Sequence, residues 1–434
     1  MPIAVTRTME ALCVVTQRLP IGTNLALLHF LWMLASGQLL PSRGAIFPAL
    51  QAIGLPVAAI RRAWAAFWGG SWELAILLQN WEAYVQQQGQ WQPHQYEGYH
   101  PIAVDLTPFW RPALKGCRTK YYHPAAGKAL AAIVVGLIAR VGSVYSQRVA
   151  LLVEVVRADP DDPAEASLKA KVVRCVIAIL ADDEMPVFDA GFRIRELQAA
   201  KLPRYVVRGA KNFIARRNVL PEYKGHGRRP EYGELVRPLA RTYKGKTIPA
   251  TPPDRTETWT ENGITFHAKF WDDLVLPDVK VHPDNPTFNV VAIYDPRYRE
   301  PWLLVCPLRL SGAALRGLYR DRWPVEQVPL AAKQMLGAGR QFVFAPESQQ
   351  RLPELALLAG SMVTYLAATL PTMPTGFWDR QPKPTAGRLR RVLARTPFPK
   401  SFPLPERIRE KASVVDHLPK GILGHRRQKQ AVNA

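Results

Sequence analysis

Residues 185–208 read MPVFDAGFRIRELQAAKLPRYVVR, and this stretch decides the class of fold. Met185–Phe188 is a short apolar run typical of a buried strand, and Asp189-Ala190-Gly191-Phe192 follows it directly. Arg193–Ala200 has the pattern of a helix, and Arg204–Arg208 again that of a strand. A strand, a helix and a strand in succession predict an α/β fold, in which helices cover a mixed sheet.

The residues before this stretch extend the same pattern. Ile102–Thr107 is a strand candidate, and the β-branched runs Ala131–Arg140 and Arg148–Val156 predict neighbouring strands. The turn cluster Asp159–Pro163 precedes a predicted helix from Ala164 to about Leu180. The core of the fold therefore begins near residue 96.

Changes in composition divide the remainder of the chain. Residues 209–310 are rich in Pro, Gly and charge, and we expect a β-rich insertion there, with strands at Thr265–Phe270, Phe288–Tyr294 and Trp302–Cys306. Helical patterns resume at Ser311–Gln334 and Pro353–Leu370. The predicted segments are a helical domain (1–95), a core in two parts (96–208 and 311–375), the insertion (209–310) and a basic C-terminal tail (376–434).

A helical hairpin is expected within the N-terminal segment. One helix runs to Gln51, Ile53-Gly54-Leu55 makes a turn, and Pro56 opens a second helix through Trp68. This resembles a helix-turn-helix, in which Arg61 and Arg62 on the second helix would meet a DNA major groove. An ordinary helical hairpin with a glycine turn has the same pattern, so both interpretations stay open.

The net charge of +22 over 434 residues favours a polyanionic partner, nucleic acid first and an anionic membrane surface second. Residues 201–250 carry 13 basic and 3 acidic side chains, and residues 379–434 carry 14 and 4, so each segment contributes +10. The first segment includes Arg228 and Arg229 in a glycine-containing loop, Lys224–Pro230, suited to DNA phosphates. Solvated surface faces would give the same charge pattern.

Composition also excludes several classes of protein. The four cysteines are scattered without zinc-ligand spacing, so neither a disulfide framework nor a structural zinc site is expected. Met1–Arg18 does not have the pattern of a signal peptide. Asn24–Leu40 is apolar but short and interrupted by polar residues, which indicates a buried helix rather than a membrane span. A cytoplasmic, nucleoid-associated protein without a membrane partner is expected.

Two carboxylates end predicted strands. Asp105 lies in Ile102-Ala103-Val104-Asp105-Leu106-Thr107, and Asp189 follows Phe188. A buried strand would favour Val or Ile at such positions, so a chemical role is one interpretation. The capping of a following turn is the other.

A third carboxylate belongs to a spaced set. Tyr319, Arg322, Glu326 and Lys333 are separated by 3, 4 and 7 residues, which places them within roughly 60° of one another on a helix. Pro324 begins a new helical turn and puts Trp323 in an extended pre-proline conformation, so this face is expected to be kinked.

Three carboxylates converging at a sheet edge make a site for two hard divalent ions, magnesium or manganese. Two such ions serve in-line phosphoryl transfer. Arg322 and Lys333 beside Glu326 would hold phosphate groups.

These residues resemble the DDE transposases of bacterial insertion sequences, in the subgroup with a Tyr-x2-Arg-x3-Glu-x6-Lys signature. Tyr319, Arg322, Glu326 and Lys333 match every signature position. Asp189-Ala190-Gly191-Phe192 is similar to the second-aspartate motif of that family, and Val104-Asp105-Leu106-Thr107 to the first.

The resemblance implies a ribonuclease-H-like catalytic core with a β-rich insertion between Asp189 and Glu326. It implies catalysis by Asp105, Asp189 and Glu326 with two Mg²⁺ or Mn²⁺ ions, and contacts from Tyr319, Arg322 and Lys333 to the DNA end. Trp323 would assist a hairpin intermediate. The expected substrates are the terminal inverted repeats of the element and target DNA, bound by at least a dimer.

Two other functions remain open from the sequence. One is a catalytically inactive, transposase-derived DNA-binding protein. The other is a host nuclease of ribonuclease-H type. The survival of all three carboxylates and the whole signature favours an active transposase over the first of these.

Overall fold

The computed structural model describes residues 1–162, 164–223, 225–374 and 376–410, and its fold is α/β with a mixed sheet. The sequence-based prediction of this class is confirmed. The helices are α1 (Ile3–Thr16), α2 (Thr23–Ala35), α3 (Ile46–Ala52), α4 (Val57–Gly69), α5 (Leu74–Gln88), α6 (Glu165–Ile179), α7 (Ile194–Ala199), α8 (Gly312–Arg320), α9 (Pro324–Leu330), α10 (Pro346–Thr369) and α11 (Ala386–Ala394).

The strands lie between residues 91 and 306, and β1 falls within the segment predicted to be helical (1–95). They are β1 (Trp91–Pro93), β2 (His100–Trp110), β3 (Lys120–His123), β4 (Lys128–Val144), β5 (Gln147–Arg157), β6 (Glu184–Phe188), β7 (Val206–Arg208), β8 (Ala215–Arg217), β9 (Leu235–Val236), β10 (Arg241–Tyr243), β11 (Lys246–Ile248), β12 (Arg255–Glu261), β13 (Ile264–Val275), β14 (Phe288–Tyr294) and β15 (Trp302–Cys306). The bounds of β14 and β15 are those that the sequence predicts.

The centre of the sheet has the order β5-β4-β2-β6-β7. β5 pairs antiparallel with β4, and β4 pairs antiparallel with β2. β6 and β7 run parallel to β2. Long β-branched runs build β4 and β5, which is the composition that a buried sheet favours. β2 lies at the centre of this order and pairs with β4 on one side and β6 on the other.

The predicted insertion extends this sheet rather than forming a separate one. β15 pairs antiparallel with β7, and β14, β13, β8 and β9 follow outward in that order. In the part of the chain that the structure describes, the sheet has thirteen strands, and β10 and β11 form a separate hairpin. The insertion thus carries α8, and with it the signature residues, back toward the central strands.

The N-terminal helices share a core with the sheet. The largest apolar cluster joins α1–α5 to α10, α11 and one face of β4 and β5. A second cluster packs α6 and α7 on the opposite face, where Leu168, Val172, Val173 and Val176 supply the helical apolar stripe of α6. Residues 1–95 are therefore joined to the core by packing and not only by the chain.

α10 is long and apolar enough to cross a membrane by length and composition, but 89% of its most apolar window is buried inside the protein. It lies within the largest cluster, and its residues from Leu352 to Ala368 are buried on all sides. An all-round apolar helix is what a central core position requires. α2, which covers most of the apolar stretch Asn24–Leu40, is likewise buried.

The first part of the predicted C-terminal tail is folded. Leu389 and Leu393 of α11, with Phe398 and Ile408, belong to the largest apolar cluster. The predicted basic end of the tail, from residue 411 onward, lies outside the described residues.

Candidate active site

Register brings the two aspartates side by side. Val104 of β2 pairs with Phe188, the last residue of the parallel strand β6, so Asp105 is the next residue of β2 and Asp189 directly follows β6. Successive side chains alternate between sheet faces, and equal register therefore puts both carboxylates on the same face. Their proximity is a direct consequence of strand pairing.

Asp189 also has the local role that its sequence context allows. Its Oδ1 accepts a hydrogen bond from the Gly191 amide at 2.9 Å, and its carbonyl accepts one from Phe192 at 3.3 Å. The two interpretations of this residue are compatible, because one carboxylate oxygen remains for another partner.

Glu326 reaches the site from α9. Pro324 occupies the first turn of α9, as the sequence predicts, and α9 packs against β2, β4 and β5. The Glu326 Oε1 atom forms an ion pair with an Arg322 terminal nitrogen at 2.7 Å. Arg322 is buried, whereas Glu326 is partly exposed. The ion pair with the fixed guanidinium therefore holds the Glu326 carboxylate in one orientation.

The expectation for Trp323 was wrong. Trp323 has φ −61° and ψ −38°, which is helical rather than extended. Its amide hydrogen-bonds to the Arg320 carbonyl at 3.4 Å, and the Glu326 amide bonds to the Trp323 carbonyl at 3.0 Å. These turn hydrogen bonds offset the steric preference of a pre-proline residue. α8 and α9 are consequently joined by a tight helical turn.

Electrostatics ties the three carboxylates together. Burial, together with the charges of Asp189 and Glu326, raises the pKa of Asp105 to about 7, although Arg322 and a hydrogen bond from the Leu106 amide oppose the rise. Two acidic neighbours that act on one buried carboxyl indicate a shared site.

Lys333 contacts β2 close to Asp105. It belongs to a π-helical turn, Ala331–Met335, and its Nζ donates a hydrogen bond to Thr107 Oγ1 at 2.6 Å. Nζ also lies 4.9 Å from the centre of the Phe109 ring. Burial lowers the pKa of Lys333 to about 8, and the charge of Asp105 opposes that shift. Lys333 is thereby fixed beside β2, two residues from Asp105.

A cavity of about 470 Å³ opens beside the α8–α9 turn. Tyr319, which is buried, and Trp323, whose relative exposure is 64%, both line it. Further lining residues are Arg148, Arg208, Arg297, Tyr298, Trp302 and Arg320. Guanidinium groups and aromatic rings are the groups that hold phosphates and bases.

The donor set of the three carboxylates fits magnesium or manganese, since both ions prefer carboxylate oxygen. Burial is the main cause of the raised pKa of Asp105, the charges of Asp189 and Glu326 add to it, and Arg322 opposes the rise. In the described part of the chain, however, no three His, Cys, Asp or Glu side chains are gathered closely enough to hold a metal ion. The chemistry of the three carboxylates fits these ions.

Four predicted DNA-binding arginines line none of the cavities beside α8 and α9, and none of the three carboxylates lines these cavities either. Arg61 and Arg62 project from α4, and Arg62 forms an ion pair with Glu410. Arg228 pairs with Glu231 at 2.5 Å, and Arg229 lies 5.7 Å from the Tyr223 ring centre. The hairpin of α3 and α4 is confirmed, but its DNA contact stays a prediction. Lys224 of the basic loop lies outside the described residues.

Sequence reasoning missed several residues near the signature. Asp321 is fully buried, although it stands between Arg320 and Arg322. Arg148, Arg208 and Arg297 come from distant strands and loops, and only the fold brings them to one cavity. Of these residues, only Asp321 could have been singled out from the sequence, because an acidic residue between Arg320 and Arg322 indicates an ion pair.

No protein-family model matches the chain, and a search of curated proteins found no significant match.

Proposed function

We propose that this chain is a DNA transposase of the DDE type, which cleaves the ends of its element and joins them to target DNA. The observation that carries the proposal is the placement of Asp105 on β2, Asp189 directly after the paired strand β6 and Glu326 on α9, near enough for the charges of Asp189 and Glu326 to act on Asp105. Folding stability gives no reason to collect like charges around a buried carboxyl.

The strand order supports a ribonuclease-H-like core. Three antiparallel strands in the order β5-β4-β2, followed by β6 and β7 parallel to β2, agree with the arrangement expected of such a core. The first two carboxylates then stand on the central strand and at the end of its parallel neighbour. The third comes from a helix after the insertion.

The roles of the side chains follow from their positions. Asp105, Asp189 and Glu326 would hold two Mg²⁺ or Mn²⁺ ions, which when bound would activate the attacking oxygen and stabilise the leaving 3′ oxygen. Arg322 orients Glu326 and offers a guanidinium fork to a phosphate. Lys333 and Tyr319 would contact the DNA end, and the exposed Trp323 ring would stack on a base. We further propose that the protein acts on DNA as a dimer in the bacterial cytoplasm, associated with the nucleoid.

The test is the nicking of DNA duplexes that carry the sequences flanking the reading frame, with magnesium, with manganese and with chelator. Metal-dependent cutting at the element ends by the wild type, and its loss in Glu326→Gln, are expected. Binding without cutting would identify an inactive derivative. Cutting of RNA–DNA hybrids, or cutting indifferent to end sequence, would identify a host nuclease instead.

A further inference from the structure

Arg148 stands where three cavities meet. It is the second residue of β5 and lines the cavity of about 470 Å³ beside Tyr319 and Trp323. It also lines neighbouring cavities of about 480 Å³ and 520 Å³. Arg148 is therefore placed to contact a ligand in any of the three cavities.

A buried carboxylate fixes this guanidinium. Arg148 Nε lies 3.1 Å from Oδ1 of Asp321, a residue with no exposed side-chain surface. The Arg148 side chain itself keeps a third of its surface exposed. This contact is an ion pair without a hydrogen bond, because Asp321 Oδ1 has no hydrogen-bond partner among the described residues, and the guanidinium hydrogens of Arg148 therefore remain for a ligand.

Asp321 is in turn held by the segment that leads into β2. Its Oδ2 atom accepts hydrogen bonds from His94 Nδ1 at 2.6 Å and from the Tyr96 hydroxyl at 2.9 Å. The other ring nitrogen of His94 bonds to Ser143 Oγ at 2.5 Å, and Ser143 is the cross-strand partner of Arg148. The ring of contacts closes on itself and fixes Arg148 relative to the α8–α9 turn.

The charges around Arg148 select an anionic ligand. Arg208 and Arg320 line the same cavity, and Arg320 is only weakly compensated by Glu261 at 3.4 Å. The adjoining cavity of about 520 Å³ adds Arg391 of α11. Within the described part of the chain, the cavities of about 470 Å³ and 520 Å³ have no acidic lining residue, whereas Glu97 and Glu261 line the one of about 480 Å³. Basic groups spread over neighbouring cavities match successive phosphates of a strand better than one isolated anion.

We propose that Arg148 binds a backbone phosphate of DNA beside the candidate active site, and that Asp321 is the positioning residue that aims its guanidinium. The inference rests on the proposed function in that it takes DNA as the substrate. A phosphate contact of this kind is independent of base sequence.

The experiment is the salt dependence of DNA binding by the full-length chain, in chelator so that no cutting occurs. The probes are a fluorescent duplex carrying the flanking sequence and an unrelated duplex of equal length. In Arg148→Ala, affinity for both duplexes should fall roughly tenfold, and the slope of log K against log salt should decrease by about one. Arg148→Lys should keep the slope, because it keeps the charge.

Two further variants separate binding from structure. Asp321→Asn should weaken binding a few-fold without altering the slope, since Arg148 keeps its charge but loses its orientation. Arg7→Ala is the control, because Arg7 is exposed, pairs with Glu10 and lines none of these cavities. It should change neither affinity nor slope. Thermal melting of each variant checks that it is folded.

An unchanged slope and affinity in Arg148→Ala would overturn the inference. Affinity losses that only follow losses of thermal stability, with no change of slope, would overturn it as well. If the wild type binds with the expected slope but never cuts DNA, the proposed function fails and the phosphate contact stands. If the wild type binds no DNA, both fail.

Discussion

Asp105 and Glu326 are linked through Arg322, which contacts one and acts electrostatically on the other. The buried guanidinium orients Glu326 through a geometry that a lysine ammonium cannot reproduce. The importance of the signature arginine is therefore expected to lie in its shape as well as its charge.

Arg322→Lys is expected to reduce the rate of metal-dependent nicking by roughly 10- to 100-fold, as for other residues that orient metal ligands. DNA affinity should remain near that of the wild type. Arg351→Lys is the matched control, because Arg351 forms the same i,i+4 pair with Glu347 on α10 at 2.9 Å. Single-turnover cutting assays measure both. Equal rates for Arg322→Lys and the wild type would contradict the orienting role.

His29 gives a stability change with pH. Its ring is buried against Phe398 at 4.5 Å, and burial, aided by Arg62, lowers its pKa from 6.5 to about 4. The neutral ring is favoured in the folded state, so the full stability is present above pH 6.5 and is lost as the pH falls toward 4.

At pH 5 the free energy of unfolding should be lower by about 2 kcal/mol on account of His29. Denaturant unfolding of the wild type and of His29→Leu at about pH 7 and at about pH 5 measures the difference. The variant should show the smaller loss. Identical pH profiles for the two proteins would contradict the assignment.

The signature residues show how much of the candidate site can be predicted from the sequence. The spacing of Tyr319, Arg322, Glu326 and Lys333 identified the signature, but a single straight helix would not describe their positions. Tyr319 lies in α8, Arg322 in the turn that follows it, Glu326 in α9 and Lys333 in a π-helical turn. The pre-proline rule predicted an extended Trp323, and the surrounding hydrogen bonds overrode it.

At the scale of elements, β4 and α6 pack closely at Gly136. A Cβ atom built on Gly136 would lie 2.2 Å from Val172 Cγ2, which is far inside van der Waals contact. Helix α6 can approach the sheet here only because this position has no side chain.

Gly136→Ala is therefore expected to lower the free energy of unfolding by about 1–3 kcal/mol. Gly69→Ala at the end of α4 is the control, since nothing lies within 4 Å of its added Cβ. Val172→Ala should recover part of the loss in the Gly136 variant, because it removes the clashing methyl group. Chemical denaturation measures all of them. A Gly136→Ala protein as stable as the wild type would contradict the packing.

The elements also mark a limit of sequence reasoning. The bounds of β14 and β15 were predicted to the residue, because each is a short apolar run with a clear local pattern. Their pairing partners have no local signal, and the addition of β15 to β7 could not be read from residues about 95 positions apart. The insertion therefore looked separate in the sequence although it continues the sheet.

At the scale of the whole molecule, the net charge and the core have different distributions. The two basic segments are local, whereas the largest apolar cluster joins the N-terminal helices to α10 and α11. Trp81 of α5 illustrates the connection, since its Nε1 donates to Ser361 Oγ at 3.2 Å and its ring packs on Tyr365 at 5.4 Å.

A fragment of residues 1–95 is accordingly expected not to fold cooperatively, because its apolar faces would lose α10 and the sheet. Circular dichroism during thermal melting of the fragment should show no sharp transition, in contrast to the full-length chain. A cooperative transition in the fragment would establish an independent domain and contradict this expectation.

The central claim is that Asp105 and Glu326 serve one catalytic centre, and the most direct test is a double-mutant comparison of DNA nicking. Asp105→Asn and Glu326→Gln should each reduce metal-dependent cutting of the flanking-sequence duplex by at least roughly 10³-fold, and the double variant should be no slower than either. DNA binding in chelator should be retained in all three. Near wild-type cutting by either single variant, or losses that multiply in the double variant, would contradict a shared centre.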